Sequence, residues 1–156
     1  DLVGLMDIDT INDLVAQVHQ RHPNVIFYGE GWDMYTEVTK PHVLLTTQYN
    51  ASEVPRFAFF SDTIRDALRG SVFDMTIPGF INGAIVDKNI LHTSYMGVPF
   101  WAQEPTQSVN YVSCHDGYTL FDRIGIAYPV STLITDLVYF ILYLKGDWKK
   151  SGIVKS

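Results

Sequence analysis

Apolar residues recur at helical spacing near the start of the chain. They lie three or four positions apart and therefore share one helical face: Ile11, Leu14, Val15 and Val18. Thr10 with Asp13 three residues later fits a capping box, and Pro23 cannot continue the helix. The pattern predicts a helix from about Thr10 to Gln20.

Two short apolar runs follow, at residues 25–28 and 57–60, and residues 109–114 form a third strand-like segment. Runs of this kind are typical of strands that are buried on both faces of a parallel sheet. The first run ends at a carboxylate flanked by glycines, Glu30, and the last ends at the pair His115 and Asp116. The spacing predicts three strands, each ending near polar residues.

A second helix is predicted after the middle strand, from about Thr63 to Arg69. Ser61 or Asp62 caps its start, and Gly70 caps its end. Its inward face is formed by Ile64, Ala67 and Leu68. Strands that alternate with helices predict an α/β fold with a parallel sheet.

Two segments depart from this alternation. Residues 71–107 hold many Gly, Pro and aromatic residues with little periodicity, so we expect an extended loop, and such long loops are usually functional. Residues 133–144 form the longest apolar stretch, which predicts a core helix. A membrane-spanning helix needs roughly 20 predominantly apolar residues, so no membrane span is expected.

The charge balance excludes one class of partner. The 156 residues carry 11 basic and 17 acidic side chains, a net charge of −6, so nucleic acid and anionic membranes are not expected partners. A neutral, hydroxyl-rich partner fits this charge. Cys114 is the only cysteine, which excludes an intrachain disulfide and a cysteine zinc site.

Three carboxylates fall where strands of such a sheet would end. Glu30 and Asp116 follow predicted strands, and Asp1 precedes the first helix, where another strand would finish. In an α/β barrel these positions face one active-site mouth, and converging carboxylates suit glycosidic bond cleavage. Acidic residues after strands are also common as helix caps and solvated loop residues, so position alone leaves both interpretations open.

Four blocks of sequence favour the active-site interpretation of these carboxylates. They are residues 1–5 (DLVGL), 28–32 (YGEGW), 59–70 (FFSDTIRDALRG) and 107–116 (QSVNYVSCHD). Together they closely resemble type I pullulanases, starch-debranching members of the α-amylase superfamily (glycoside hydrolase family 13). The resemblance covers about residues 1–126. It implies a partial (β/α)₈ TIM barrel, roughly strands 4 to 7 with their helices, followed by a divergent and partly helical tail at residues 127–156.

The resemblance also implies a role for each site residue. Asp1 matches the nucleophile, Glu30 the general acid/base, and Asp116 the third acid, which helps to distort the sugar ring. His115 matches a histidine that hydrogen-bonds the glucose at the cleavage site. Trp32 would offer a platform for a sugar face and shield Glu30 from water, which favours the protonated acid. Outside these blocks, His115 and Trp32 would more often be core residues.

Substrate and mechanism follow from the same resemblance. It implies hydrolysis of α-1,6 branch linkages in pullulan, limit dextrins or amylopectin, with retention of configuration. Other superfamily enzymes (isoamylase, glycogen debranching enzyme, an α-1,4-amylase) and a non-catalytic α-glucan-binding remnant remain alternatives. No cofactor is expected, because no histidine pair has metal-ligand spacing and no acidic loop has a calcium pattern. Localisation stays open between cytoplasmic and secreted.

Two features depart from the family pattern. Gly117 stands where Asn commonly follows the His-Asp pair, although some related enzymes carry Gly. A (β/α)₈ barrel needs about 250 residues, so the 156-residue chain is expected to be a piece of a pullulanase. Missing strands expose sheet edges, and we expect the isolated chain to be poorly stable and inactive.

Overall fold

The structure, a computed structural model, describes residues 1–38 and 42–145, without the side chains of residues 126–128, 130 and 131. Four α-helices and three strands are interspersed in this part of the chain. They are α1 (Ile8–Arg21), β1 (Phe27–Gly29), β2 (Phe57–Ser61), α2 (Asp62–Arg69), α3 (Lys88–Tyr95), β3 (Ser108–Asn110) and α4 (Leu120–Lys145).

The three strands form one parallel sheet in the order β1-β2-β3. Phe27 lies opposite Phe57, and Phe59 lies opposite Ser108. A parallel sheet interspersed with helices confirms the predicted α/β class. The assignment of the segment to strands 4 to 7 of a barrel stays a prediction.

The hydrophobic core lies on one face of this sheet. Phe57 and Phe59 point to it from β2, since alternate residues of a strand share a face. The other buried members come from α1 and the loops: Val3, Ile8, Ile11, Val15, Ala51, Val54 and Trp101. Helix α1 therefore covers the sheet with its predicted apolar face, although Leu14 is exposed.

A row of aromatic rings follows the other face. Tyr28 and Phe60 lie edge to face with ring centroids 5.5 Å apart, and Phe60 and Tyr111 repeat that arrangement at 5.3 Å. Tyr28 is 55% exposed. This aromatic row leads across the sheet from β1 to the chain just beyond β3.

Helix α1 begins earlier than predicted. Its N-cap is Asp7, whose carboxylate accepts hydrogen bonds from the Thr10 amide at 2.8 Å and the Thr10 hydroxyl at 2.7 Å. The predicted cap at Thr10 is wrong, because Asp7 is extended and Thr10 already lies in the first turn. Helix α2 has its predicted caps, Ser61 and Gly70, and Gly70 has a φ of 92° that favours glycine.

The strands are less buried than the sequence pattern predicts. Ile26 lies outside β1 and is 78% exposed, and β1 has a strand partner on one side only among the described residues. Strand β3 ends at Asn110, so Cys114 lies beyond it, half-buried, and not within a buried strand.

The segment 71–107 is not simply a loop. It contains α3, whose N-cap Asp87 accepts a hydrogen bond from the Asn89 amide at 2.8 Å. Only Ser94 of this helix is buried. The helix was missed because it has no apolar stripe from which a period could be read.

The chain divides into two compact units, Asp1–Gly117 and Tyr118–Ser156. The described part of the second is α4, a helix whose apolar side chains from Leu133 to Leu144 are exposed, so the core-helix prediction is wrong for these residues. None of the helices among the described residues is long and apolar enough to cross a bilayer. The predicted division into residues 1–126 and 127–156 stays a prediction.

Candidate active site

Two of the predicted carboxylates meet at the carboxyl end of the sheet. Glu30 directly follows β1, and Asp116 lies six residues beyond β3. One polar atom from each of Glu30, His115 and Asp116 lies within 4.8 Å of the other two. Since parallel strands end at the same edge of a sheet, residues distant in sequence converge here.

These groups share a hollow of about 100 Å³. The residues that line the hollow are Glu30, Trp32, Phe60, Tyr111, Cys114, His115 and Asp116. His115 Nε2 lies 2.8 Å from Asp116 Oδ1, with both side chains largely exposed. The hollow thus combines carboxylates with aromatic walls, a combination suited to a ligand with polar edges and apolar faces.

Asp1 occupies a different position. It is exposed and does not line the hollow. The segment that it begins is nevertheless tied to Glu30: the Leu2 amide donates to Glu30 Oε2 at 3.2 Å, and the Gly4 amide donates to the Glu30 carbonyl at 3.0 Å. The structure therefore groups Glu30, Trp32, His115 and Asp116, with Asp1 at the edge of the group.

A larger cleft of about 580 Å³ adjoins the hollow. Trp32 and Asp116 line both cavities. The cleft is further lined by aromatic and polar side chains, including Tyr35, Gln48, Tyr49, Asp62, Arg65 and Phe73. An elongated ligand can therefore extend from the hollow into the cleft past Trp32.

Close backbone approaches fix the loop that carries Glu30 and Trp32. A Cβ on Gly4 would overlap the Trp32 carbonyl oxygen, and a Cβ on Gly31 would overlap the Phe59 ring. Glycine is required at both positions for lack of space. The glycines beside Glu30 were visible in the sequence, but the approach of Gly4 was not.

Gln48 is a site residue that the sequence analysis missed. Its backbone amide donates to the Gly31 carbonyl at 2.8 Å, and its side-chain amide donates to the Phe60 carbonyl at 2.8 Å and to Asp62 at 3.3 Å. It is 7% exposed. Gln48 thereby joins the loop after β1 to the end of β2.

Arg65 was also missed, although it stands in a block used for the family resemblance. It is 8% exposed and lies on α2. Its Nη1 donates to the Tyr111 hydroxyl at 2.7 Å, while Nε and Nη2 donate to Asp66 at 2.6 and 2.9 Å. The guanidinium carbon lies 5.8 Å from the Trp32 ring centroid.

Burial and neighbouring charge act in opposite directions on the pKa values of Arg65 and Tyr111. Burial opposes the charge of Arg65, but the hydrogen bond and the charge of Asp66 outweigh it and raise the pKa of Arg65. Burial also raises the pKa of Tyr111, against the smaller opposing effect of Arg65. Arg65 therefore stays a cation and Tyr111 stays a neutral phenol across the physiological pH range.

The cluster of Glu30, His115 and Asp116 could also reach a shared cation. Calcium prefers a shell of six to eight oxygen ligands, and this cluster offers a histidine nitrogen and two carboxylates. Its members are exposed or half-buried, as solvated polar groups commonly are. We therefore assign no metal to these residues.

Comparison with known proteins adds a sequence relationship. No family model matches the chain. The chain is similar to the pullulanase of Bacillus subtilis (strain 168), with 33% identity over 135 residues. The match covers 83% of the chain and 18% of that relative, so the chain spans less than one fifth of the relative's length.

Solved structures give the same relationship at the level of the fold. A pullulanase from an Anoxybacillus species, complexed with maltotriose, matches with a TM-score of 0.74 and 40% identity, over 83% of this chain and 18% of that one. A Paenibacillus barengoltzii pullulanase in complex with maltohexaose and α-cyclodextrin matches with a TM-score of 0.73 and 36% identity, over 83% and 21%. Sequence and fold therefore agree on the same group of proteins.

Proposed function

Because the chain belongs to the pullulanase family, we propose that it forms part of the catalytic domain of a starch-debranching glycoside hydrolase. Its substrates are α-1,6 branch linkages of pullulan, limit dextrins or amylopectin. The three parallel strands are then barrel strands 5 to 7, preceded by the end of strand 4 at residues 1–5. The family's sugar complexes, with maltotriose among them, support an α-glucan as the partner.

The convergence of Glu30, His115 and Asp116 within 4.8 Å carries this proposal. Glu30 acts as the acid that protonates the glycosidic oxygen and then as the base that activates water. Asp116 and His115 bind hydroxyl groups of the glucose at the cleavage site. Because the hollow of about 100 Å³ is small, it suits part of one sugar ring, with the chain of sugars continuing into the cleft.

Asp1 is the nucleophile in this mechanism. A retaining enzyme needs its two carboxyl groups about 5 Å apart, so that the nucleophile can form a glycosyl-enzyme intermediate. The hydrogen bond from the Leu2 amide to Glu30 keeps the segment beginning at Asp1 next to the acid/base. Trp32 provides an apolar platform for a sugar face and limits the access of water to Glu30.

The first experiment replaces the acid/base in the full-length enzyme that contains this segment. Glu30→Gln removes the transferable proton but keeps the shape of the side chain, so turnover of pullulan should fall at least about a hundredfold. Maltotriose binding, measured by calorimetry, should stay within about twofold. Glu53→Gln, the same change at an exposed position, should alter neither quantity.

Parallel loss of binding and turnover in Glu30→Gln would contradict the catalytic role and indicate a folding role. The choice among debranching enzymes and amylases is a separate question, which comparison of linear amylose with pullulan as substrate answers. Faster hydrolysis of amylose would place the parent enzyme in another branch of the superfamily.

A non-catalytic glucan-binding remnant is the second candidate. It is favoured by the aromatic side chains of the hollow and the cleft, which can bind sugar faces without any of the acids. Incubation of the isolated chain with pullulan should release no maltotriose. Calorimetric titration of that chain with maltotriose then tests binding: a remnant should bind the sugar without cleaving pullulan, and the absence of binding would exclude the remnant.

A further inference from the structure

Arg65 contacts two walls of the hollow, although it is not itself among the residues that line it. Its guanidinium carbon lies 5.8 Å from the centroid of the Trp32 ring and 5.6 Å from that of Tyr111. Both rings border the hollow that contains Glu30 and Asp116. One cation on α2 therefore contacts aromatic residues from two separate loops, after β1 and after β3.

The guanidinium is held in a fixed orientation. Asp66, the next residue on α2, accepts from Nε at 2.6 Å and from Nη2 at 2.9 Å. This two-point contact fixes the plane of the guanidinium, and Nη1 is then directed at the Tyr111 hydroxyl at 2.7 Å. A planar fork can satisfy both partners at once, whereas a lysine ammonium cannot reproduce this geometry.

We propose that Arg65 is a positioning residue, which sets the orientation of Trp32 and Tyr111 around the carboxylates of the hollow. It acts on Trp32 through a cation–π contact and on Tyr111 through a hydrogen bond. Tyr111 in turn packs edge-on against Phe60, the third aromatic wall of the hollow. This inference rests on the proposed function, in which Trp32 is the platform for a sugar.

The test measures the accessibility of Trp32 without any sugar. Trp148 is replaced by Phe, and Trp101, which is 4% exposed, contributes little to acrylamide quenching. In this background Arg65→Met should raise the quenching constant about twofold, because Trp32 loses its cation–π contact. Arg65→Lys keeps the charge but not the fork that fixes its orientation, so it should give an increase between the parent value and that of Arg65→Met.

Two further variants keep the test independent of folding. Tyr111→Phe removes only the hydroxyl that accepts from Arg65, so it should give a smaller increase in quenching with a smaller fall in the urea midpoint than Arg65→Met. Arg56→Met is the matched control, the same substitution at an exposed arginine, and should change nothing. No increase in Arg65→Met would overturn the proposal. The proposal would also be overturned if quenching of Arg65→Met rose only together with a fall in its urea midpoint and Tyr111→Phe showed the same quenching as the parent chain.

Kinetics of the full-length enzyme separate positioning from stability. We expect Arg65→Met to raise the KM for pullulan about fivefold with kcat changed less than about twofold, because binding on the platform is impaired and the acids are retained. A fall in kcat at unchanged KM would overturn the proposal. If the unsubstituted full-length enzyme does not hydrolyse pullulan, the proposed function fails, while the quenching experiment still decides the role of Arg65.

Discussion

Single glycines fix the loop of the candidate site, and their effect can be tested at the scale of one methyl group. Gly4→Ala places a Cβ against the Trp32 backbone, which cannot rotate away as a side chain could. We expect the free energy of unfolding to fall by about 1–3 kcal/mol, in the range of overpacked sites. Urea denaturation followed by circular dichroism measures the change.

Gly117→Ala is the control for that substitution. Its added Cβ meets Val72 at 3.7 Å, an ordinary van der Waals distance, in the same compact unit. Its unfolding midpoint should match that of the parent chain. Equal midpoints for Gly4→Ala and Gly117→Ala would mean that the Trp32 backbone shifts freely, contrary to the close approach described above.

At the residue scale, the sequence predicted the two carboxylates of the site but not the contacts that surround them. Glu30 and Asp116 were predicted together because strand ends of a parallel sheet share one edge, a rule that needs only the order of elements. The contacts of Arg65 with Trp32 and Tyr111 join positions 33 and 46 residues away along the chain. Such pairs depend on how α2 packs beside the sheet, which no local pattern specifies.

At the scale of elements, the start of α1 carries a pH dependence. Hydrogen bonds from the amide and hydroxyl of Thr10 lower the pKa of Asp7 below its ordinary value of 3.8. A carboxylate with a lowered folded-state pKa contributes stability above the unfolded-state pKa and loses it as pH falls through the folded-state value. The cap should therefore weaken only below about pH 3.8.

Asp7→Asn tests this dependence, because asparagine also caps helices but does not titrate. Urea midpoints of the parent chain and of Asp7→Asn, measured at neutral pH and below pH 3.8, should differ more at neutral pH. Asp13→Asn, at an exposed position inside the same helix, is the matched control. A difference that stays constant with pH would show that the ionised Asp7 is not the cap.

Element positions followed the sequence more closely than element ends. The centres of α1, β2 and α2 were predicted, because apolar spacing and capping residues act locally. The start of α1 was misplaced by three residues or fewer, since Thr10 and Asp7 are both acceptable caps and only the backbone conformation selects one. Helix α3 was missed for a different reason, because its exposed surface leaves no periodic signal.

At the scale of the whole molecule, the isolated chain carries open sheet edges. Strands β1 and β3 each have one strand partner among the described residues, and Ile26 beside β1 is 78% exposed. Unpaired edges of this kind promote association between chains. We expect the isolated chain to self-associate as its concentration rises, and Ile26→Lys to reduce this association, measured by light scattering.

Ile85→Lys is the control for the edge effect, since Ile85 is fully exposed and lies outside the sheet. It makes the same change in charge and hydrophobicity away from β1. If both substitutions reduce association equally, general solubility and not the edge of β1 is responsible. At this scale the sequence predicted the α/β class but not which faces of the sheet stay exposed, because the segments that pack on a sheet can be distant along the chain.

The shared border of the hollow and the cleft has an evolutionary consequence. Trp32 and Asp116 belong to both cavities, so under the proposed function a substitution at either would change bond cleavage and the accommodation of longer glucans together. Tyr35 and Phe73 line the cleft but not the hollow, and both are strongly exposed. Divergence in preferred chain length among related enzymes would therefore accumulate at positions like these two, where selection can act on one property without loss of the other.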